Sequence, residues 1–154
     1  MNLRPATPAD EPFLRRVYAE SRAAELAPTG WTEAQKAAFC DSQFAAQDAH
    51  YRRAYPGCEF LVVERDGAPI GRLYRQRRAD EIRIVDLALL EAERGQGVGG
   101  RLLRAVLEEA GAAGLPVRLH VERNNPARRL YVRLGFQVEE QGAIYDLLCW
   151  QTIL

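Results

Sequence analysis

Four glycines within six residues, placed directly before a helical pattern, constrain this chain more than any other feature. The stretch Glu81–Leu107 begins with an apolar strand pattern, continues through a short acidic segment and the glycines at 95, 97, 99 and 100, and ends in amphipathic helical spacing. Glycine lets the backbone turn tightly and expose its N–H groups with no Cβ in the way. A helix that begins just behind adds unpaired N–H groups and a partial positive charge. The stretch therefore predicts an anion site of the kind that binds phosphate.

The composition is that of a folded chain without a strong overall charge. The 154 residues include 21 basic and 21 acidic side chains, so the balance favours neither nucleic acid nor an anionic membrane as a partner. Hydrophobic residues make up 47% of the chain, which is typical of a globular protein. The length predicts a single domain over residues 1–154.

Three sequence features predict a cytoplasmic location. No apolar run approaches the ~20 residues that a membrane span requires. The first residues, Met1–Pro5, lack the apolar segment of a signal peptide. Cys40, Cys58 and Cys149 are odd in number, far apart and without a CxxC pair. We therefore expect reduced cysteines that pack in the interior, with a catalytic thiol as the alternative.

Hydrophobic periodicity predicts the order of helices and strands. Helices are expected near residues 7–27, 32–55, 97–110 and 126–134. Strands are expected near 3–6, 60–63, 70–74, 82–90, 117–121, 137–140 and 143–150. Asp66-Gly67 is a hairpin turn signal, and Gly111 and Gly114 are expected to end the third helix.

This order predicts an α+β (mixed α/β) fold. Three successive strands joined by short polar turns form an antiparallel meander, whereas a strand–helix–strand crossover makes its two strands parallel. We expect a mixed, mostly antiparallel sheet of about six to seven strands, with one parallel β-α-β crossover and about four helices.

The glycine stretch permits more than one interpretation. Gly95–Gly100 satisfies GxGxxG and Glu122 closes the next strand, as in a Rossmann-type NAD-binding protein. Against this, six residues separate the strand end from the second glycine, the motif follows an antiparallel meander, and only about thirty residues follow Glu122. The NAD-binding site stays an alternative, as does a glycine-rich connection without a ligand.

Counted from Arg94, the same loop fits the pattern R/Q-x-x-G-x-G/A through Gly99. A second block, Asn124–Tyr131 followed by Gly135-Phe136, matches N-x-x-A-x-x-L-Y…G-F about thirty residues later. On these two motifs the chain resembles the GNAT superfamily of acyl-CoA-dependent N-acetyltransferases over most of residues 58–150. The resemblance implies direct transfer of an acetyl group from acetyl-CoA to a primary amine of a small molecule, peptide or protein.

The resemblance also implies that backbone amides of the loop hold the pyrophosphate of coenzyme A, without a metal. The residues in that role are Arg94, Gly95, Gln96, Gly97, Val98, Gly99 and Gly100. Converging N–H donors and a helix dipole suit a doubly anionic group. The preceding strand would offer the main-chain groups of Leu87, Ala88 and Leu89 to the pantetheine arm, with a bulge near Val85–Asp86.

The second motif implies further contacts. Tyr131 matches the family's tyrosine that protonates the departing CoA thiolate, a step for which a phenol is a suitable donor; a tyrosine that packs in the core is the alternative. Relatives place a CoA-contacting asparagine at the spacing of either Asn124 or Asn125, and we slightly favour Asn124. Ala127 belongs to the same set of cofactor contacts.

Amine acetylation needs a proton acceptor, because an ammonium has no lone pair with which to attack the thioester. Glu81 is the first candidate, since several relatives carry a glutamate there that works through water. Asp86 is the second, because an aspartate in an apolar strand requires a partner or a function. His120 is the third, since the ordinary pKa of histidine suits base chemistry. An amine that arrives deprotonated would need none of them.

The acceptor amine is not identified by any motif. The resemblance implies that the first two helices and the last hairpin shape its pocket, with Trp31, Phe44, His50, Tyr51 and Tyr74 as candidates. The basic group Arg72, Arg75, Arg77 and Arg78 is interpreted as a solvated strand edge, or alternatively as an attractor of an anionic acceptor. A non-catalytic CoA-sensing or partner-binding domain is the functional alternative, and a homodimer stays open.

Overall fold

The structure, a computed structural model, describes residues 1–152, and its elements follow the predicted order. The helices are α1 Glu11–Leu26, α2 Glu33–Ala54, α3 Val98–Ala113 and α4 Arg128–Arg133. The strands are β1 Asn2–Pro5, β2 Glu59–Arg65, β3 Ala68–Arg77, β4 Ile82–Leu89, β5 Val117–Glu122, β6 Gln137–Gln141 and β7 Tyr145–Trp150.

The sheet confirms the predicted α+β fold. In residues 1–152 seven strands form one sheet in the order β1-β2-β3-β4-β5-β7-β6. β4 and β5 pair in parallel, with Ile82 opposite Val117, while the pairs β1·β2, β5·β7 and β6·β7 are antiparallel. The predicted turn between β2 and β3 is present, because Asp66 and Gly67 have φ values of 53° and 78°. Two successive positive φ angles are what a two-residue type I′ hairpin requires.

The bounds of α3 and α4 differ from the sequence prediction. α3 continues through Gly111 to Ala113, and Gly114, with φ 69°, forms its C-cap in the left-handed region. Gly111 was therefore wrongly expected to end the helix; the left-handed position that a C-terminal glycine serves is at Gly114. α4 is shorter than expected, because it begins at Arg128, after the proline, and ends at Arg133.

The described chain divides into two compact units. The first comprises Met1–Tyr74 and Asp86–Arg94, and the second comprises Arg75–Val85 and the described residues from Gly95 onward. In the first unit, α1 and α2 surround a buried cluster of Leu14, Tyr18, Leu26, Cys40, Phe44 and Val62. α2 begins at a capping box, in which Thr32 Oγ1 accepts from Gln35 N and Gln35 Oε1 accepts from Thr32 N.

In the second unit, α3 and β5 provide most of the apolar interior. α3 buries residues at helical spacing, namely Val98, Leu102, Leu103, Val106, Leu107 and Ala110. β5 alternates, with Val117, Leu119 and Val121 buried, as a strand with one covered face does. No helix within residues 1–152 combines the length and apolarity that crossing a bilayer requires.

Candidate active site

The glycine loop ends in an open helix N-terminus. Gly95 and Gly97 have φ values of 75° and 80°, a left-handed conformation that side-chain-bearing residues rarely adopt. Gly97 is the N-cap of α3 and provides no side-chain cap. The first bond of the helix runs from Arg101 N to Gly97 O at 3.1 Å. The amides of Val98–Gly100 therefore precede the helical hydrogen bonds and are directed out of the helix end.

Gly99 and Gly100 serve a different purpose from the two left-handed glycines. A Cβ on Gly99 would lie 3.5 Å from Leu130 Cδ2, and one on Gly100 would lie 3.6 Å from Leu130 Cδ1. Their lack of a side chain therefore leaves room for Leu130 of α4 beside the first turn of α3. The same four glycines thus combine two left-handed turns with close packing of the helix that follows them.

The segment before the loop is fixed within the first unit. Glu20 Oε1 of α1 accepts a hydrogen bond from Glu91 N at 2.7 Å, Arg65 pairs with Glu93, and Arg94 Nε donates to Leu89 O at 3.2 Å. At Gly71 of β3, a Cβ would lie only 2.6 Å from Ala88 O. This glycine therefore permits the close approach of the Ala88 backbone to β3.

Asp86 lies in a closed cluster in the first unit. Its carboxylate accepts from Arg72 Nη2 at 2.9 Å and from Arg72 Nε at 3.3 Å, and from Tyr51 Oη at 2.8 Å. The Arg72 side chain is only 3% exposed, and its guanidinium lies 4.9 Å from the centroid of the Tyr74 ring. Burial and the neighbouring Asp86 carboxylate raise the pKa of Tyr51 far above its ordinary value. The phenol therefore keeps its proton and donates a hydrogen bond to Asp86.

Glu81 lies in an open cluster in the second unit. Its carboxylate is 2.9 Å from Arg83 Nε, 3.6 Å from Arg118 Nη1 and 3.7 Å from Arg78 Nη1. The Glu81 side chain is 8% exposed, but those of Arg118 and Arg78 are 22% and 37% exposed. Glu81 therefore sits at the inner end of a polar cluster whose outer members are in contact with solvent.

His120, the third candidate base, belongs to the cluster around Glu81. Arg83 Nη1 lies 3.2 Å from His120 Nδ1, and arginine is a donor only, so Nδ1 accepts and the ring proton is on Nε2. Burial, followed by the charge of Arg83, lowers the pKa of His120. Its Nδ1 lone pair is thus already in use.

The Asn124 motif forms a loop with an adjoining open cavity of about 710 Å³. Asn125 Oδ1 accepts from Ala127 N at 2.9 Å, so this side chain is used within the loop. Within residues 1–152 the Asn124 side chain makes no hydrogen bond to another residue, and it lines the cavity with Arg123 and Arg129. The geometry therefore favours Asn124 over Asn125 as the residue available to a ligand.

Tyr131 is buried on α4, where its ring packs edge-on against Phe136 with 5.8 Å between the ring centroids. The family motif thus places its tyrosine and its G-F phenylalanine in contact. This packing fixes the ring, and the role of the phenol as an acid stays a prediction.

A match to a family model decides the classification of the chain. The model of the acetyltransferase (GNAT) family matches residues 21–136, which include both the glycine loop and the Asn124 motif. The chain belongs to the GNAT family. The recognition from the two motifs is therefore confirmed.

The GNAT chain is similar to proteins of known name and structure. A Bacillus subtilis (strain 168) protein with the provisional name ribosomal protein bS18-alanine N-acetyltransferase is 33% identical over 85 residues, which are 53% of this chain and 56% of that protein. The chain thus spans little more than half the length of this curated relative.

Solved structures share the fold. The PaiA N-acetyltransferase from Thermoplasma acidophilum in complex with coenzyme A has a TM-score of 0.74 at 19% identity, over 98% of both chains. A GNAT family acetyltransferase from Brucella melitensis in complex with acetyl-CoA has a TM-score of 0.58 at 19% identity, over 99% of this chain and 88% of that chain. At these identities the likeness shows the fold alone.

Two features of this GNAT chain differ from what the sequence suggested. Arg72 and Arg75 are 2% and 8% exposed, so the interpretation of the basic group as a solvated edge was wrong for both. Arg72 pairs with Asp86 and Arg75 with Glu109, and such pairs account for buried arginines. Asp146, 2% exposed on β7, was missed, although an acid within an apolar strand was the signal that identified Asp86.

Proposed function

We propose that this chain transfers an acetyl group from acetyl-CoA to a primary amine. The observation that carries the proposal is the uncapped N-terminus of α3, which the chain enters through Gly95 and Gly97 in left-handed conformations. Free amides and the helix dipole there suit a pyrophosphate. Family membership favours coenzyme A as the carrier of that pyrophosphate, and relatives solved with coenzyme A and acetyl-CoA support this choice.

The proposed cofactor contacts begin with the phosphate group. The backbone of Arg94–Gly100 holds the pyrophosphate, and the guanidinium of Arg101, which donates to Gln96 O at 3.2 Å, keeps a positive charge at the loop. The main-chain groups of Leu87, Ala88 and Leu89 bind the pantetheine arm. Asn124 is the side-chain contact of the second motif, with Asn125 and Ala127 shaping the loop.

The reaction is direct and needs three proton movements. The amine nitrogen forms a bond to the thioester carbonyl carbon, and the carbon–sulfur bond then breaks. Tyr131 donates its phenolic proton to the departing thiolate, which leaves as the CoA thiol. Before the attack, the ammonium gives one proton to a carboxylate, directly or through water. The second proton that the nitrogen loses on becoming the amide restores the phenol of Tyr131.

Glu81 is the carboxylate proposed for that task, ahead of Asp86 and His120. When a carboxylate accepts a proton, its arginine partners lose their counter-charge. Two of the three partners of Glu81, Arg78 and Arg118, reach solvent, and the side chain of the third, Arg83, is 12% exposed. The Arg72 side chain beside Asp86 is only 3% exposed, and an unpaired charge there would be costly. In His120, Nδ1 already accepts from Arg83.

The proposed acceptor is a small molecule or a peptide or protein amine, met in the cytoplasm. The Bacillus subtilis relative is named for acetylation of an alanine of ribosomal protein bS18, which makes an N-terminal alanine peptide a first substrate to try. Spermidine and free amino acids represent the small amines.

Isothermal titration with acetyl-CoA, CoA and NADH tests the cofactor, and thiol release with an amine panel tests transfer. We expect acetyl-CoA and CoA to bind and NADH not to bind. Absence of binding at millimolar acetyl-CoA would overturn the proposal. Binding without transfer to any amine in the panel would instead support a CoA-sensing domain.

The acid role of Tyr131 has its own test. Tyr131→Phe keeps the ring against Phe136 and removes the proton donor, so kcat is expected to fall about 10²-fold while acetyl-CoA binding is retained. Tyr145→Phe, an exposed tyrosine on β7, is the matched control. An unchanged kcat in Tyr131→Phe at every pH would remove the assignment.

A further inference from the structure

We propose that Asp146 is a positioning residue that holds the Asn124 loop, residues 122–127, in the shape that binds acetyl-CoA. This inference rests on the proposed function. Asp146 lies on β7, outside both GNAT motifs, and is 2% exposed. Its carboxylate accepts hydrogen bonds from the side chains of Arg123 and Arg128, so its effect on the cofactor passes through these residues.

The carboxylate of Asp146 binds both ends of the Asn124 loop. Arg123 Nε donates to Asp146 Oδ1 at 3.2 Å, and Arg128 Nη1 donates to Asp146 Oδ2 at 2.7 Å. Arg123 directly precedes Asn124, and Arg128 is the first residue of α4. One buried carboxylate therefore fixes where the loop starts and where the helix that carries Tyr131 begins.

The loop's own hydrogen bonds complete this arrangement. Arg123 N donates to Ile144 O at 3.2 Å, and Asn125 N donates to Glu122 O at 3.0 Å. Asn125 Oδ1 accepts from Ala127 N. With these bonds the backbone turns around Asn124, whose side chain makes no hydrogen bond to another residue of the described chain and lines the adjoining cavity.

The turn between β6 and β7 is attached to the same carboxylate. Gly142 N lies 3.4 Å from Asp146 Oδ1, and a Cβ on Gly142 would lie 2.3 Å from Tyr145 O. Only glycine fits at this position, so the turn keeps its close approach to Asp146. The hydrogen bond from Arg128 chiefly lowers the pKa of Asp146, and Arg123 adds to this effect, so the clamp is charged at neutral pH.

The test is Asp146→Asn, which keeps the size of the side chain and removes its charge. We expect KM for acetyl-CoA and Kd for CoA to rise about 10-fold, since displacement of a binding group by a remote substitution has effects of this size or larger. We expect kcat per folded molecule to change less than about threefold, because no group that takes part in the reaction is removed. Asp41→Asn, an exposed aspartate paired with Arg15, is the matched control and should change neither constant.

A double-variant cycle identifies the path of the effect. If Asp146 acts through Arg128, then Asp146→Asn combined with Arg128→Gln should weaken CoA binding no more than the stronger single variant. Arg128→Gln also replaces Asp146→Asn as the test if the latter does not fold. Hydrogen exchange of a peptide spanning 122–131 should become faster in either variant, at the same global stability.

Unchanged KM and Kd in a folded Asp146→Asn protein would overturn the inference and leave the proposed function intact. The inference would also be overturned if the loss of binding matched only the loss of folded protein. Fully additive effects of Asp146→Asn and Arg128→Gln on CoA binding would overturn it as well. A wild-type protein that does not bind CoA would instead reject the proposed function, and with it the role of Asp146 in cofactor binding.

Discussion

Asp86 and Glu81 are five residues apart in the chain and both are bound by arginine, yet their surroundings differ in kind. Asp86 has one arginine partner that is almost wholly buried and a tyrosine whose proton is held in place. Glu81 has three arginine partners at 2.9 to 3.7 Å, two of which reach solvent. From the sequence, Glu81 was the first and Asp86 the second candidate for the base.

The difference teaches that ion pairing alone does not assign a carboxylate to catalysis or to stability. A carboxylate whose cationic partner is buried is tied to its charge, because neutralising the carboxylate leaves the partner charge buried and unpaired. A carboxylate with partners that reach solvent can be neutralised at smaller cost, because water hydrates the charges of those partners. The side chain of Asp86 is 13% exposed, and its arginine partner, Arg72, is buried. The side chain of Glu81 is 8% exposed, but beside Arg83, at 12%, it has two partners that reach solvent.

The largest effect is expected for Asp86→Asn. The substitution leaves Arg72 buried without its counter-charge, so the free energy of unfolding should fall by about 3–5 kcal/mol. Urea denaturation followed by far-UV circular dichroism measures this loss. The double variant Asp86→Asn with Arg72→Met should recover much of it, since no buried charge remains. A stable Asp86→Asn protein with a strongly reduced kcat would reverse the roles of the two carboxylates.

Glu81→Gln should affect the reaction more than the fold. We expect kcat to fall about 10²-fold, the lower end of what a general base contributes, and the pH–rate profile to lose its acidic limb. The amide oxygen can still accept from Arg83, so stability should fall by less than in Asp86→Asn. Glu64→Gln, a carboxylate paired with Arg4 outside both clusters, is the control. Equal kcat in Glu81→Gln and wild type at all pH values would exclude Glu81 as the base.

The fold was predictable from local signals, because each of them acts over a few residues. Asp66-Gly67 specified its hairpin, Thr32 its helix start, and the length of the crossover specified the parallel pair of β4 and β5. The sequence did not distinguish Gly114 from Gly111 as the end of α3, because both are glycines. Only the left-handed backbone angle of Gly114 separates them. A bulge near Val85–Asp86 stays a prediction.

The site was predictable only where a motif fixes it. The glycine loop has the expected backbone, since φ angles at Gly95 and Gly97 follow from sequence-local sterics. The pairs of Asp86 with Arg72 and of Asp146 with Arg128 join residues 14 and 18 positions apart in the chain. No local spacing rule links them, so neither the burial of Arg72 nor the clamp at Asp146 could be foreseen. Asn124 and Asn125 could be told apart only in the structure, by the hydrogen bond that Asn125 Oδ1 accepts from Ala127 N.

A smaller effect is expected when the closed cluster loses only its phenol. Tyr51→Phe removes one hydrogen bond of 2.8 Å to Asp86 but leaves the Arg72 pair intact, so stability should fall by about 1.5 kcal/mol. Thermal and urea unfolding measure the change. Tyr55→Phe, the next tyrosine on the chain, is the matched control and should cost less. A loss as large as that of Asp86→Asn would mean that Tyr51, and not Arg72, holds the carboxylate.

The smallest effect is the pH dependence of stability that comes from His120. This histidine belongs to the Glu81 cluster, and the Asp86 cluster has no counterpart among its described members. Because burial and Arg83 lower the pKa of His120 from 6.5, the unfolded chain takes up this proton at a higher pH than the folded chain does. The stability that comes from the neutral ring is therefore present above about pH 6.5 and is lost as the pH falls below that value. The unfolding free energy of wild type should decrease between pH 7.5 and 5.5, and His120→Gln should show a smaller decrease. If the unfolding free energies of the two proteins changed with pH in parallel, the fold would not hold His120 neutral. The assignment of His120 Nδ1 as an acceptor from Arg83 would then be wrong.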